Sequence, residues 1–369
     1  MQRSIYIRPV GVFRPPASPA PHEAFTGEVW GGLPLTGGPL SFAALEVIER
    51  GAKGVSRRVI GLGDLFERDW GRHTLAASDL LENIRAPRAR LAGLSLDKPR
   101  IMGIVNVTPD SFSDGGSFLA AKAAIEHGLK LVEEGADILD IGGESTRPGS
   151  DPVAVDEELR RVIPVIEGLR AKSDVRISID TRKAEVMRRA ADAGADILND
   201  VSALTHEPEA LDAAAATGLP VMLMHAQGDP KTMNDNPQYS DVALDVFDFL
   251  ESRIHACEQA GIPKAKLVAD PGIGFGKHLH HNVAVLSAMS LYHGLGIPVL
   301  LGASRKKLIG QLCNVEDAKD RVPGSIAAAL HSISQGVQIV RVHDVAATRQ
   351  AISIWQAADA GSEAVVARS

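Results

Sequence analysis

Cysteine is almost absent from this chain. Cys257 and Cys313 are too few and too far apart for a disulfide framework or a metal-binding cysteine cluster. No apolar run approaches the length of a membrane span, and the opening stretch MQRSIYIRPVGVFRPP lacks the apolar core of a secretory signal. A cytoplasmic protein with no membrane partner is therefore expected. Positive charge is also short: a net charge of -7 and a pI near 6.0 argue against nucleic acid as the main partner. An anionic substrate would need Arg, Lys and His gathered locally against that global field. Missing too is a Gly-rich dinucleotide fingerprint after the first strong strand candidate, which weakens the case for a doubly wound open sheet.

What is present can bury a large core: 369 residues, 45% hydrophobic and 23% charged, allow one big domain and an appendage. Residues 1–87 read differently from the rest. Segment 8–40 is dense in Pro and Gly and predicts no more than short extended pieces. Ser41 is placed to cap a short helix over 42–50 that Gly51 ends, and a second helix is expected over about 74–84, stopping before Pro87. Trp30, Phe42, Phe66 and Trp70 suggest that the region packs on something, as a docking or oligomer surface, and a homodimer is the expected assembly.

From residue 101 short β-branched runs alternate with helical stretches, the pattern of a parallel sheet. The runs are IMGIVNV at 101–107, DILDIGG from Asp137, VRISID from Val175, DILND from Asp196, PVMLMH from Pro220, KLVAD from Lys266, PVLLGAS from Pro298 and VQIVRVHD from Val337. The helical stretches between them carry apolar stripes: Val155, Leu159, Val162, Ile166 and Leu169 in one, and Leu244, Phe247, Leu250, Ile254 and Cys257 in another. GADILD at Gly135 returns as GADILND at Gly194, as when one βα unit is reused. Eight such units in about 250 residues match a (β/α)8 TIM barrel, here with an N-terminal extension. The strand ends deliver Asn106, Asp140, Asp180, Asn199, His225, Asp270, Ser304, Arg341 and His343. In a barrel all of these face the C-terminal mouth, where active sites sit.

NVTPDSFSDGG at 106–116, DIGGESTRPGS at 140–150, SIDT at 178–181, LNDVSA at 198–203, DPGIGFGK at 270–277, GASRKK at 302–307 and RVHDV at 341–345 closely resemble dihydropteroate synthase. The resemblance covers 88–360, leaving 1–87 as an extension of unknown role and 361–369 as a C-terminal tail, and 91–99 looks like the hairpin with which such barrels open. It implies a transferase of folate biosynthesis that joins 6-hydroxymethyl-7,8-dihydropterin diphosphate to p-aminobenzoate, releases pyrophosphate and is a sulfonamide target.

The residues fall into three groups. Asn106, Arg147, Arg341 and His343 offer donors suited to phosphate oxygens, and the resemblance adds Thr146 to the substrate contacts and a Mg2+ on Asn106. Asp180, Asn199 and Asp270 match the donor and acceptor edge of a pterin, with Lys306 supplying opposite charge. By resemblance these four form the pterin pocket, walled by Val201, Met224 and Phe275. Also by resemblance, Phe112, Pro148 and Ser304 lie beside the p-aminobenzoate ring and Asp114 near the pterin as positive charge builds. His225 reads equally well as a base or as a satisfied structural histidine.

Overall fold

The computed structural model describes residues 3–15, 32–67, 69–107, 116–145, 150–228, 232–233 and 235–360. Trp30, Phe112, Asp114, Thr146, Arg147, Pro148 and residues 361–369 lie outside them, as does the side chain of Phe66. The strands are β1 (Ile5–Phe13), β2 (Leu33–Pro34), β3 (Ser41–Gly51), β4 (Gly54–Gly61), β5 (Arg100–Asn106), β6 (Ile138–Gly142), β7 (Arg176–Asp180), β8 (Ile197–Asp200), β9 (Val221–Met224), β10 (Leu267–Asp270), β11 (Leu300–Leu301) and β12 (Ile339–Val342). The helices are α1 (Leu62–Glu67), α2 (Thr74–Arg85), α3 (Gly116–Glu133), α4 (Val155–Arg170), α5 (Ala184–Asp192), α6 (Ala210–Thr217), α7 (Val242–Gln259), α8 (Leu279–Ser287), α9 (Lys307–Cys313), α10 (Val322–Ser334) and α11 (Val345–Ala360).

Strands β5 to β12 form one eight-stranded parallel sheet in the order β10-β9-β8-β7-β6-β5-β12-β11. A parallel bridge from Ala269 to Val299 joins its two ends and makes it a barrel. Because side chains alternate along a strand, every second residue points inward. Met102, Ile138, Ile197, Met222, Val268, Leu300 and Ile339 make one buried apolar layer inside the barrel, closed by Leu91 and Leu96. Leu91 and Leu94 pair across a two-residue turn in which Ala92 (φ 46) and Gly93 (φ 85) are both left-handed, as a tight hairpin requires. Two residues further along the same inward faces come Asp140, Asn199, Met224, Asp270 and Arg341. The alternation that fills the barrel floor with hydrocarbon thus fills its mouth with polar groups.

The N-terminal region departs from expectation. Segment 42–50 is not a capped helix but lies within β3, which pairs antiparallel with β1 over Ile5 to Phe13 and with β4 over Gly54 to Gly61. Its local sequence permits a helix; two long-range pairings outweigh that weak preference. Within 8–40, β1 is also longer than a short extended piece, and it keeps Pro9 because it is an edge strand with one side unpaired. The helix expected over 74–84 is α2.

This small sheet shares its core with the barrel: Ile5, Tyr6, Ile7, Phe42, Leu45 and Ile48 are buried in one cluster with Phe247, Leu291 and Tyr292. Helix α7 is the contact. Its apolar stripe, Leu244, Phe247, Leu250, Ile254 and Cys257, is buried. A second stripe at helical spacing is acidic, and arginines of the small sheet and its flank meet it. Arg57 reaches Asp241 at 2.5 Å, Arg50 reaches Asp245 at 2.7 Å and Asp248 at 2.8 Å, and Arg3 pairs with Glu251. Tyr6 donates to Asp248 at 2.7 Å and stands edge-on to Phe247, ring centroids 5.5 Å apart. No described helix is long and apolar enough to cross a membrane.

Candidate active site at the barrel mouth

Register puts the first cluster in one row: Asn106 is paired with Gly142, Gly142 with Asp180 and Asp180 with Asn199. Across the mouth from β12 comes Arg341, whose Nε donates to Asp140 at 2.6 Å and whose Nη2 donates to Asp180 at 2.7 Å. The Asn199 amide donates to Asp140 at 3.1 Å. Asp140, with 0% of its surface exposed, is therefore the hub that orients both Asn199 and Arg341. Burial pushes Asp180 up to about 7; Arg341 pulls the other way and Asp140 adds to the rise. Burial disfavours the Arg341 cation, but Asp140 and Asp180 outweigh it and leave the guanidinium above its ordinary value.

The second cluster lies at the ends of β10 and β11. Asp270 accepts the Gly272 N–H at 2.8 Å, and Lys306 donates to the Ile273 carbonyl with its Nζ 4.4 Å from the centre of the Phe275 ring. Burial raises the Asp270 carboxyl, opposed first by Lys306. The same burial lowers Lys306 to about 8, opposed first by Asp270. Acid and amine thus stabilise each other's charged forms inside a site that penalises both. Beside them the Ser304 hydroxyl and His343 Nδ1 lie 3.0 Å apart, and the His343 N–H donates to the same hydroxyl at 3.2 Å. Arg305 holds these two loops together by donating from Nε to Asp344 at 2.9 Å.

Val201 and Phe275 line a cavity of ≈ 300 Å³ whose other walls include Arg182, Ser202, His206 and Phe249. Asp180, Asn199, Asp270 and Lys306 do not line that cavity, and Met224 is packed at 3% exposure. Asp180 caps no helix: α5 starts at Ala184 with Lys183 as its cap position, and the Asp180 carboxylate faces Arg341 instead. Arg341, grouped from the sequence with the phosphate donors, is held here between two acids.

Sequence reasoning gave no role to three features. Asp140 was one more strand-end acid, and only its partners show it as a hub. Lys277 is buried, and its amine reaches His225 Nδ1 at 2.8 Å. Burial pulls Lys277 down to about 7 and His225 well below its ordinary value. Glu144, two residues past β6, accepts from Lys183 at 3.0 Å and Arg182 at 3.3 Å. Lys183 also pairs with the fully buried Glu158. A basic residue two or three positions past a strand end was the only available hint for Arg182 and Lys183. Among the described residues no group of three or more His, Cys, Asp and Glu is arranged to hold a metal ion.

The model of the pterin binding enzyme family matches residues 102–343. The chain is 50% identical over 269 residues to dihydropteroate synthase of Escherichia coli K12, a match covering 73% of this chain and 95% of that protein. It is 54% identical to the Xanthomonas albilineans dihydropteroate synthase solved with 4-aminobenzoic acid, with a TM-score of 0.70 over 75% of this chain and 99% of that one. The Yersinia pestis dihydropteroate synthase, solved with a sulfonamide drug complex, is 49% identical, with a TM-score of 0.69 over 73% of this chain and 97% of that one.

Proposed function

Because the chain belongs to the pterin binding enzyme family, and within it to the dihydropteroate synthases, we propose that its strand-end acids hold the pterin while the neighbouring loops handle diphosphate and p-aminobenzoate. The reaction joins 6-hydroxymethyl-7,8-dihydropterin diphosphate to p-aminobenzoate and releases pyrophosphate. The observation that carries the division of labour is the inward row of Asp140, Asp180 and Asn199 facing Asp270 and Lys306 across one mouth.

A pterin presents an amino-amide edge rich in N–H donors, and a carboxylate is an acceptor only. Asp180 and Asp270 take those donors, Asn199 keeps its carbonyl oxygen for one more, and Lys306 faces a ring acceptor. Asp140 touches no substrate; it fixes the amide orientation of Asn199. Phe275, Val201 and Met224 supply apolar contact to the flat ring. Displacing a diphosphate with a weakly nucleophilic aromatic amine calls for a stabilised leaving group and an oriented nucleophile. Arg341 spends two donors on Asp140 and Asp180 and retains others of its five for phosphate oxygens. Arg147, Thr146 and His343 complete the diphosphate site, and Phe112, Pro148 and Ser304 flank the p-aminobenzoate ring. Asp114 is assigned to the pterin, where positive charge builds. His225 is given no role as a base: its Nδ1 is taken up by the buried Lys277 amine at 2.8 Å, and an aniline nitrogen attacks without one.

Asn106 contributes one neutral oxygen, while the nearby Asp140 and Asp180 carboxylates are engaged by Arg341. That donor set fits a Mg2+ that takes most of its oxygens from the diphosphate and water. When bound, it would offset charge on the departing pyrophosphate. A homodimer in the cytoplasm is the assembly and compartment we assign.

Incubating the protein with both substrates should yield pyrophosphate and dihydropteroate, and omitting either substrate should abolish both products; no product with both present would overturn the assignment. Sulfonamides should inhibit competitively against p-aminobenzoate. Inhibition competitive against the pterin diphosphate would show that the two subsites are wrongly divided.

A further inference from the structure

The loop between β10 and α8, residues 271–278, is tied down carbonyl by carbonyl. Lys306 takes the Ile273 carbonyl from the mouth side. Tyr239 donates to the Gly276 carbonyl at 2.7 Å, and Asn282 both accepts the Gly274 N–H at 2.6 Å and donates to the Lys277 carbonyl at 2.9 Å. Two more carbonyls go to one buried amine: Lys277 Nζ donates to Gly272 at 2.9 Å and Phe275 at 3.1 Å. Its third strong contact is His225 Nδ1 at 2.8 Å, at the end of β9.

The loop has little freedom to lie elsewhere. Gly272 (φ +69) and Gly276 (φ +60) are left-handed, and a Cβ on either would collide with the backbone carbonyl of His225 or Gln227. The chain therefore runs hard against the end of β9, with no side chain between. An ammonium has three N–H donors and no acceptor. Here it finds two close acceptors on the loop and one just past β9, with the His225 carbonyl a longer fourth contact at 3.4 Å. A protonated Lys277 can only donate to Nδ1, which leaves His225 neutral with its proton on Nε2. The ring is held in turn edge-on to Phe249 at 4.9 Å between centroids.

Building on the pterin pocket assigned above, we propose that Lys277 is a positioning residue for pterin binding: its amine fastens the 272–276 loop to β9 and thereby sets Phe275 and, through the Ile273 carbonyl, Lys306. Phe275 and Lys306 meet the pterin; Lys277 acts from beneath them. Losing its donors strands the Phe275 carbonyl and the His225 nitrogen and leaves the Gly272 carbonyl only the Phe275 N–H at 3.2 Å, and the loop relaxes to reach water, carrying the Phe275 ring and the Lys306 anchor with it.

The test uses the full chain and a free fluorescent pterin, with Lys277→Met, which keeps length and volume but has no donor. Pterin affinity should fall by about tenfold or more, the scale of a buried polar group left unsatisfied, while KM for p-aminobenzoate at saturating pterin diphosphate stays near the parent's. Parent-like pterin affinity, or equal losses for both substrates, would overturn the inference. Should Lys277→Met fail to fold, His225→Asn and His225→Gln decide. Asn places an oxygen near the Nδ1 position and should bind pterin far better than Gln, whose acceptor sits near Nε2; equal binding by the two would refute the clip. A parent protein that binds no pterin would overturn the pocket itself and this inference with it, whereas failure of the variants alone leaves the pocket standing.

Discussion

Asp180 is asked to be a carboxylate in a place that disfavours charge. Burial and Asp140 push it up to about 7, while Arg341 at 2.7 Å opposes them. An unfolded aspartate titrates near ~3.9, so between about pH 4 and pH 7 the folded protein keeps a proton that the unfolded chain has released. This group's support for the fold is therefore full below about pH 4 and is lost as pH rises through about 7. Binding has the opposite sign, because the pterin needs the ionised acceptor. Lys306, lowered to about 8, must keep its proton. Pterin affinity should thus follow a bell between an acid limb near 7 and an alkaline limb near 8. Binding measured across this range in the parent and in Lys306→Met checks it: the limb near 8 should be lost in the variant, leaving only what Lys277, lowered to about 7, contributes, and a limb near 8 that survives unchanged belongs to another group.

Among the elements, α7 carries the load between the two parts of the molecule. One stripe packs on the barrel; the other offers Asp241, Asp245, Asp248 and Glu251 to Arg57, Arg50 and Arg3. Arg50 is the most enclosed of these cations, with 11% of its side chain exposed and two acids within 2.8 Å. Breaking a fully buried pair costs ~3–5 kcal/mol; discounted for partial exposure, Arg50→Ala should cost about 2 kcal/mol. Urea unfolding reads this directly, and a loss below about 0.5 kcal/mol would mean the pairs are no more than ordinary surface contacts. The stripe of apolar residues on α7 was legible at three- and four-residue spacing, and so were all eight barrel strands. Strand β3 was not, because SFAALEVIE is ambiguous alone and its partners, β1 and β4, are set by pairing and not by local preference. The roles of Asp140 and Lys277 were hidden for a related reason: Asp140 is defined by its contacts to Asn199 and Arg341, and Lys277 ties its own loop to His225, all of them residues 52 or more positions away.

At the scale of the whole molecule, the small N-terminal sheet and the barrel share one core, which contradicts any picture of a loosely tethered appendage. Removing residues 1–87 would uncover apolar surface around Phe247, Leu291 and Tyr292 and orphan the acidic stripe of α7. The truncated protein should be less soluble and should melt at lower temperature, yet no described residue of 1–87 stands among the strand-end groups of the mouth. Loss of turnover in a truncated protein that stays folded with its assembly unchanged would contradict that separation. The barrel's mouth was readable in outline because strand alternation is a rigid rule: a polar residue two places beyond a buried apolar one on the same strand must enter the same interior. Which of those residues bond to each other was not readable, since it depends on strand stagger and on side-chain reach across the barrel.

The central claim is that strand-end acids, rigidly placed, hold the pterin. Fluorescence titration of a free pterin, with no diphosphate present, into the parent and into Asp180→Asn tests it most directly. Asn preserves size but replaces an acceptor by a donor, leaving a pterin N–H unmatched at a cost of about 1–3 kcal/mol. Affinity should fall by roughly tenfold or more with the fold unchanged; affinity within about twofold of the parent, below the cost of any lost buried hydrogen bond, would contradict that role for Asp180.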